Sequence, residues 1–156
     1  MRVFTFLILL FFITSCDKIA LTSDSTIQGL DTIVDFTSVD TYPSFKNCDS
    51  IIEKTKKQNC FRTTIHNKIG EELQKHTFII EDSINETVLV DLLIDKNGVI
   101  NYQSIQASNS LKKELPKFDS IVQVSVNKLN KVYPAIKRGI PVTTRYQLPI
   151  KIQLKN

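Results

Sequence analysis

From Val142 to Leu154 the even positions are Val142, Thr144, Tyr146, Leu148, Ile150, Ile152 and Leu154, and the odd ones are Thr143, Arg145, Gln147, Pro149, Lys151 and Gln153. This period of two predicts a β-strand with one face on a core and the other in water, because successive side chains point to opposite sides. Pro149 falls on the polar face and has no N–H for a neighbour, which places the strand at a sheet edge or a bulge. Such an edge either closes the chain's own sheet or receives a strand from another chain. On the second reading Val142, Thr143, Thr144, Arg145, Tyr146 and Gln147 form the candidate partner-binding edge, ahead of the donor that Pro149 withholds.

The same patterning predicts the elements before it. Phe61, Ile65, Ile69 and Leu73 recur every four residues with Arg62, Lys68, Glu71, Glu72 and Lys75 between them, an amphipathic helix from about Asn59. Thr87–Asp95 alternates as a strand with Val88, Val90, Leu92 and Ile94 on one face. Lys96-Asn97-Gly98 makes a turn, and Val99–Ala107 resumes a strand-like composition, so the pair predicts a hairpin. Asp95 is read as bonding the turn backbone rather than as a catalytic acid. Leu111, Leu115, Phe118, Val122, Ser125 and Leu129 space as a second helix, which Pro116 either starts or kinks.

The first residues lie outside this plan. Met1-Arg2 carries one positive charge, Val3–Ile13 is an almost unbroken apolar run, and Thr14-Ser15-Cys16 follows. Residues 1–15 are therefore expected to be a signal peptide, too short to span a bilayer stably. Ile13-Thr14-Ser15-Cys16 resembles a bacterial lipobox, which implies diacylation of Cys16 and a stable membrane anchor of several acyl chains. Residues 16–41, rich in Ser, Thr and Asp without a period, are expected to be a flexible tether reaching roughly 25–30 Å. The folded domain is expected over 42–156.

Composition removes several function classes. The formal charge of +4 comes from mixed-sign segments without a basic run, which argues against nucleic-acid binding. There is no glycine-rich phosphate loop, no clustered His, Cys and carboxylate set, and no nucleophile beside a base, so no enzyme, cofactor or metal is expected. His66 and His76 stand ten apart and face different ways on a helix. Cys48 and Cys60, in an oxidising compartment, are compatible with a disulfide contributing about 3 kcal/mol in the chain-entropy model, and a metal site is disfavoured.

Taken in order, Asp95-Lys96-Asn97-Gly98-Val99-Ile100, a helix, Tyr133-Pro134-Ala135, Gly139-Ile140-Pro141-Val142 and Pro149-Ile150-Lys151-Ile152-Gln153-Leu154 resemble the C-terminal domain of TonB-family proteins. Phe45-Lys46-Asn47-Cys48-Asp49 and Cys60-Phe61 resemble its Bacteroidetes-type version. The resemblance covers roughly residues 42–154. Val132-Tyr133 stands where that family has Trp before Pro-Ala, and the usual Gly entering the first hairpin strand is absent. The resemblance implies an α+β, two-layer domain: a three-stranded antiparallel sheet with two helices in the order helix-hairpin-helix-strand. It also implies pairing of the last strands with a peptide of an outer-membrane receptor. Without a motor-coupled helix after cleavage or a Pro-rich spacer, the chain is expected to be a lipid-anchored envelope protein facing the periplasm, at the outer rather than the inner membrane. Its expected partner is an envelope protein or peptide. The alternative is a structural lipoprotein that forms a homodimer through its edge strand.

Overall fold

The alternation at the C-terminus builds the sheet. The computed structural model describes residues 33–155; the expected signal peptide 1–15, the acylation site Cys16 and the tether up to residue 32 lie outside them. Strand β6 (Thr144–Leu154) turns its even residues to the core and its odd residues to solvent without a break. Strand β2 (Ile84–Ile94) runs antiparallel along all of it, from Ile84 opposite Leu154 to Ile94 opposite Thr144, so Val88, Val90 and Leu92 face the core beside Ile150, Leu148 and Tyr146. Strand β3 (Ile100–Gln106) continues the sheet beyond β2, with a register shift at Asp91/Leu92.

Two expectations about the sheet need correction. A fourth strand, β1 (Val34–Asp35), lies parallel to the first two residues of β6, giving a mixed sheet in the order β1-β6-β2-β3 rather than a three-stranded antiparallel one. It comes from residues assigned to the tether, and the fold therefore starts well before Tyr42. Phe36 and Val39 are buried, and the N–H groups of Asp40 and Thr41 donate to the Ile136 carbonyl at 2.9 and 3.1 Å. Residues 36–38 form a 3-10 turn, so the buried positions there match neither a helical nor a strand period.

Helix α1 (Lys54–Leu73) buries Phe61, Ile65, Ile69 and Leu73 as the spacing requires. It begins ahead of Asn59, over a first turn of Lys54, Thr55, Lys56 and Lys57 with no apolar residue to register a period. The second helix is two. Leu115, held out of the helical region (φ −124°, ψ 65°) ahead of Pro116, separates α2 (Asn109–Glu114) from α3 (Phe118–Asn127). Ser108 caps α2 by accepting from the Leu111 N–H at 3.1 Å, and its own N–H and hydroxyl donate to Glu86 at 2.8 and 2.6 Å. The helices cover one face of the sheet and leave the other to solvent.

An aromatic cluster joins the entry segment, α1 and β6. Phe36 stacks on Tyr42 at 4.9 Å between centroids and meets Tyr146 at the same distance, while Phe61 lies 5.4 Å from Tyr146 and 5.5 Å from Phe45. Beside it Cys48 and Cys60 are joined in a disulfide with Cα atoms 5.8 Å apart. A short hairpin that no hydrophobic period marks, β4 (Ala135–Lys137) and β5 (Ile140–Val142), precedes β6. Its turn residues Arg138 and Gly139 both have positive φ, 51° and 76°. Thr41 and Ser44 bridge to Ile136 and Tyr133, so the entry segment also holds the approach to this hairpin.

Glu72, near the end of α1, accepts hydrogen bonds from Lys128 at 2.7 Å and from Lys75, and these two ammonium groups hold its carboxyl at about 2, below its usual 4.5. The folded pKa lies below the unfolded one, so the linked stabilisation is present above pH 4.5 and is lost as pH falls toward 2. Glu72→Gln is expected to flatten the fall of stability through that window, measured by denaturant midpoints at successive pH values; an unchanged acid limb would show that the contact contributes nothing in solution.

Candidate functional site

Among the described strands two edges are open, the outer side of β3 and the outer side of β6 beyond β1, and the second is the one that an apolar groove accompanies. The Val34 N–H donates to the Thr143 carbonyl at 2.8 Å, so the backbone groups of Thr143 face outward, away from β2. Backbone groups alternate along an extended strand, and the β2–β6 register runs without a shift. The outward set is therefore Thr143, Arg145, Gln147, Pro149, Lys151 and Gln153. Strand β1 stops at Asp35, opposite Arg145. From Gln147 to Leu154 no described strand pairs with this side. Among the described residues no strand pairs with the N–H groups of Gln147, Lys151 and Gln153, and Pro149 occupies an outward position where its missing N–H costs the β2–β6 ladder nothing.

The side chains of these odd residues lie on the helix-free face, where Asp91 of β2 organises its surroundings. Its carboxylate accepts from Gln106 Nε2 at 2.9 Å, Gln147 Nε2 at 2.9 Å and Ser104 Oγ at 3.0 Å, linking the three long strands. These bonds, from Gln106 and Gln147 first, together with the Arg145 charge, pull the Asp91 carboxyl below its usual range against the opposing effect of burial. Lys151 and Arg145 line the same rim, exposed.

Under the core-facing side of the open edge lies a groove of about 390 Å³, walled by Leu73 at the end of α1, Phe78, Phe118 of α3, and Ile152 and Leu154 of β6. Ile150 and Leu154 point to the core yet are only half-buried, since helix cover stops at Leu73. An apolar trough beside unpaired backbone suits an extended chain: the backbone supplies hydrogen bonds, and alternate side chains drop into the trough.

Elsewhere the titratable groups have structural employment. The Asp95 carboxylate accepts from the N–H groups of Asn97 and Val99, both at 2.8 Å, and so fastens the turn as expected. Burial first, then the hydrogen bond to Asp119, pushes the Tyr102 phenol far up. His66 is lowered by burial and by the Arg62 charge, and His76 lies past the end of α1 rather than on it. Among the described residues no group of three or more His, Cys, Asp or Glu side chains converges as a metal ion would require.

The residues proposed from sequence as the binding edge are divided by this geometry. Val142 is paired with Ala135 inside the hairpin, the Thr143 carbonyl is taken by Val34, and Thr144 and Arg145 lie beside β1. Tyr146 sends its ring into the aromatic cluster and its backbone toward β2, which leaves Gln147 as the outward residue of the six that is open. The rest of the open edge, Leu148–Leu154, lies beyond the residues expected from sequence, where the missing Pro149 donor favours the segment before it; at an outward position Pro149 withholds only its own donor.

Compared with known proteins, the chain matches no family model, no curated protein and no solved structure.

Proposed function

We propose that the domain is a protein- or peptide-binding module of the cell envelope, whose partner adds a strand to the outer edge of β6 between Gln147 and Leu154. The observation that carries this reading is the run of outward backbone groups that no described strand pairs, beside an apolar groove. The resemblance to TonB C-terminal domains supports it, with the last strand as the shared binding element and an acylated Cys16 as the anchor. No helix among the described residues is long and apolar enough to cross a membrane. Self-pairing of two β6 edges is disfavoured by charge: β6 carries Arg145 and Lys151 and no carboxylate, so an antiparallel pair of copies sets cations along cations.

Proline substitution tests the site. Gln147→Pro in the full chain removes an outward donor from the open edge and leaves the β2–β6 ladder whole. It is expected to weaken capture of an envelope partner by about tenfold or more, since a backbone bond contributes about 1 kcal/mol and the ring also obstructs the incoming strand. Gln147→Ala is expected to change affinity little. A well-folded Gln147→Pro chain with undiminished binding would move the site to the helical face.

A further inference from the structure

We propose that the hollow between the 3-10 turn Lys46–Cys48, the middle of α1 and the segment that follows α3 binds a phosphate group. Its volume is about 480 Å³, and Lys46, Lys68 and Lys131 line it with Asn47 and Asn130 over the buried ring of Phe45. No carboxylate lines it. Among the described residues none of the three lysines belongs to an ion pair. The Lys68 ammonium stands over the Phe45 ring, 6.0 Å from its centroid. The fold brings these cations together and holds their segments in place. Phe45 stacks on Phe61 of α1 at 5.5 Å, the Cys48–Cys60 disulfide ties the turn to the same helix, and Asn47 Nδ2 donates to Thr64 Oγ1 at 3.3 Å. The segment carrying Lys131 is fastened by Ser44 and Tyr133, whose backbones exchange N–H donors at 3.1 and 2.8 Å.

Like charges gathered from separate segments repel, and the repulsion opposes folding until a counter-charge sits among them. The surrounding acids do not supply one, because each has a cation of its own. Asp49 has Lys57 at 3.4 Å, Asp95 is followed by Lys96, and Glu72 has both Lys75 and Lys128, which also offset Glu71 on the same turn of α1. Lys46, Lys68 and Lys131 are the excess. Their chemistry favours phosphate over carboxylate. The planar fork of arginine matches the two coplanar oxygens of a carboxylate, and the lining holds no arginine. Lysines are point charges that approach from any direction, which suits the three oxygens of a phosphate monoester with its charge of about −1.5 to −2 at pH 7. The hollow is larger than a bare phosphate, and Phe45 with the lysine stems offers apolar wall to the organic part of an ester. It shares no lining residue with the groove along β6, so the site is independent of strand pairing.

Glycerol 3-phosphate presents the group in soluble form, and phosphatidate in mixed micelles presents it on a lipid. The full chain in neutral detergent is titrated with each at constant ionic strength while amide proton and nitrogen shifts are followed. Saturable shifts are expected at Asn47, Thr64 and Lys131, and none with glycerol or with added chloride. Lys68→Gln and Lys131→Gln are each expected to weaken binding about fivefold, as loss of one charge-assisted contact implies, whereas Lys137→Gln on the β4–β5 hairpin leaves it unchanged. Tighter, lysine-dependent binding of phosphatidate assigns the group to a lipid headgroup, and tighter binding of glycerol 3-phosphate assigns it to a soluble ester. Absence of saturation with both probes, or affinities that the Lys68 and Lys131 substitutions leave unchanged, would overturn the proposal.

Discussion

Gly98→Ala is expected to cost the domain about 4 kcal/mol, enough to unfold much of the population of a marginally stable chain. Two separate penalties meet at this residue. Its φ of +77° is one that a side chain resists, for roughly 1–2 kcal/mol. A Cβ placed there would also stand 1.8 Å from the Val132 carbonyl oxygen, an atom of backbone that cannot rotate aside. The Val132 N–H donates to the Gly98 carbonyl at 2.9 Å, so any shift that relieves the overlap loosens this bond too. Urea denaturation checks the value. A loss of under 1 kcal/mol would mean that the β2–β3 turn and the segment ahead of β4 separate freely in solution.

Phe61→Ala is the second large effect, expected at about 4 kcal/mol by loss of burial and creation of a cavity. Phe61 is fully buried and touches Phe36, Phe45 and Tyr146, so its removal opens the contact among the entry segment, α1 and β6 together. Phe61→Leu keeps most of the volume and is expected to cost less than half as much. Equal losses for the two would point to the ring contacts rather than the volume as the source of stability. Hydrogen exchange on Val34 and Tyr146 is expected to quicken most in Phe61→Ala, because both lean on this cluster.

Much of the fold was legible because it rests on local period. The strand at 144–154 and the buried line Phe61, Ile65, Ile69 and Leu73 state their faces residue by residue, and Gly98 marks its turn. Gly98 did not disclose the close approach of Val132, which only the folded backbone creates. Strand β1 was hidden for a related reason: Phe36, Val39 and Tyr42 sit three apart around a 3-10 turn, between polar residues that suggest a linker. The β4–β5 hairpin carried half a signal. Gly139 suits a positive φ, but Arg138 does not advertise one, and the Asp40 carboxylate that receives its N–H lies far away in sequence. The candidate edge shows the same limit. Alternation identified the strand, yet which of its backbone groups are free depends on two residues of β1 that join it from the other end of the chain.

The place of β1 also fixes how the domain transmits tension. A load between the chain at Val34 and a strand held on the outer edge of β6 enters through the Val34–Thr143 bond and the Phe36 ring, then travels along β6. Both ends of such a load lie on β6, so it runs along that strand's own backbone, while β2 on the other side holds β6 in place without standing in the line of force. The disulfide lies off this line, downstream of Phe36, and does not bear the load until the aromatic cluster has given way. If a partner strand pairs with the outer edge of β6 as proposed, the weakest joint of that line is β1, which meets β6 over two residues only.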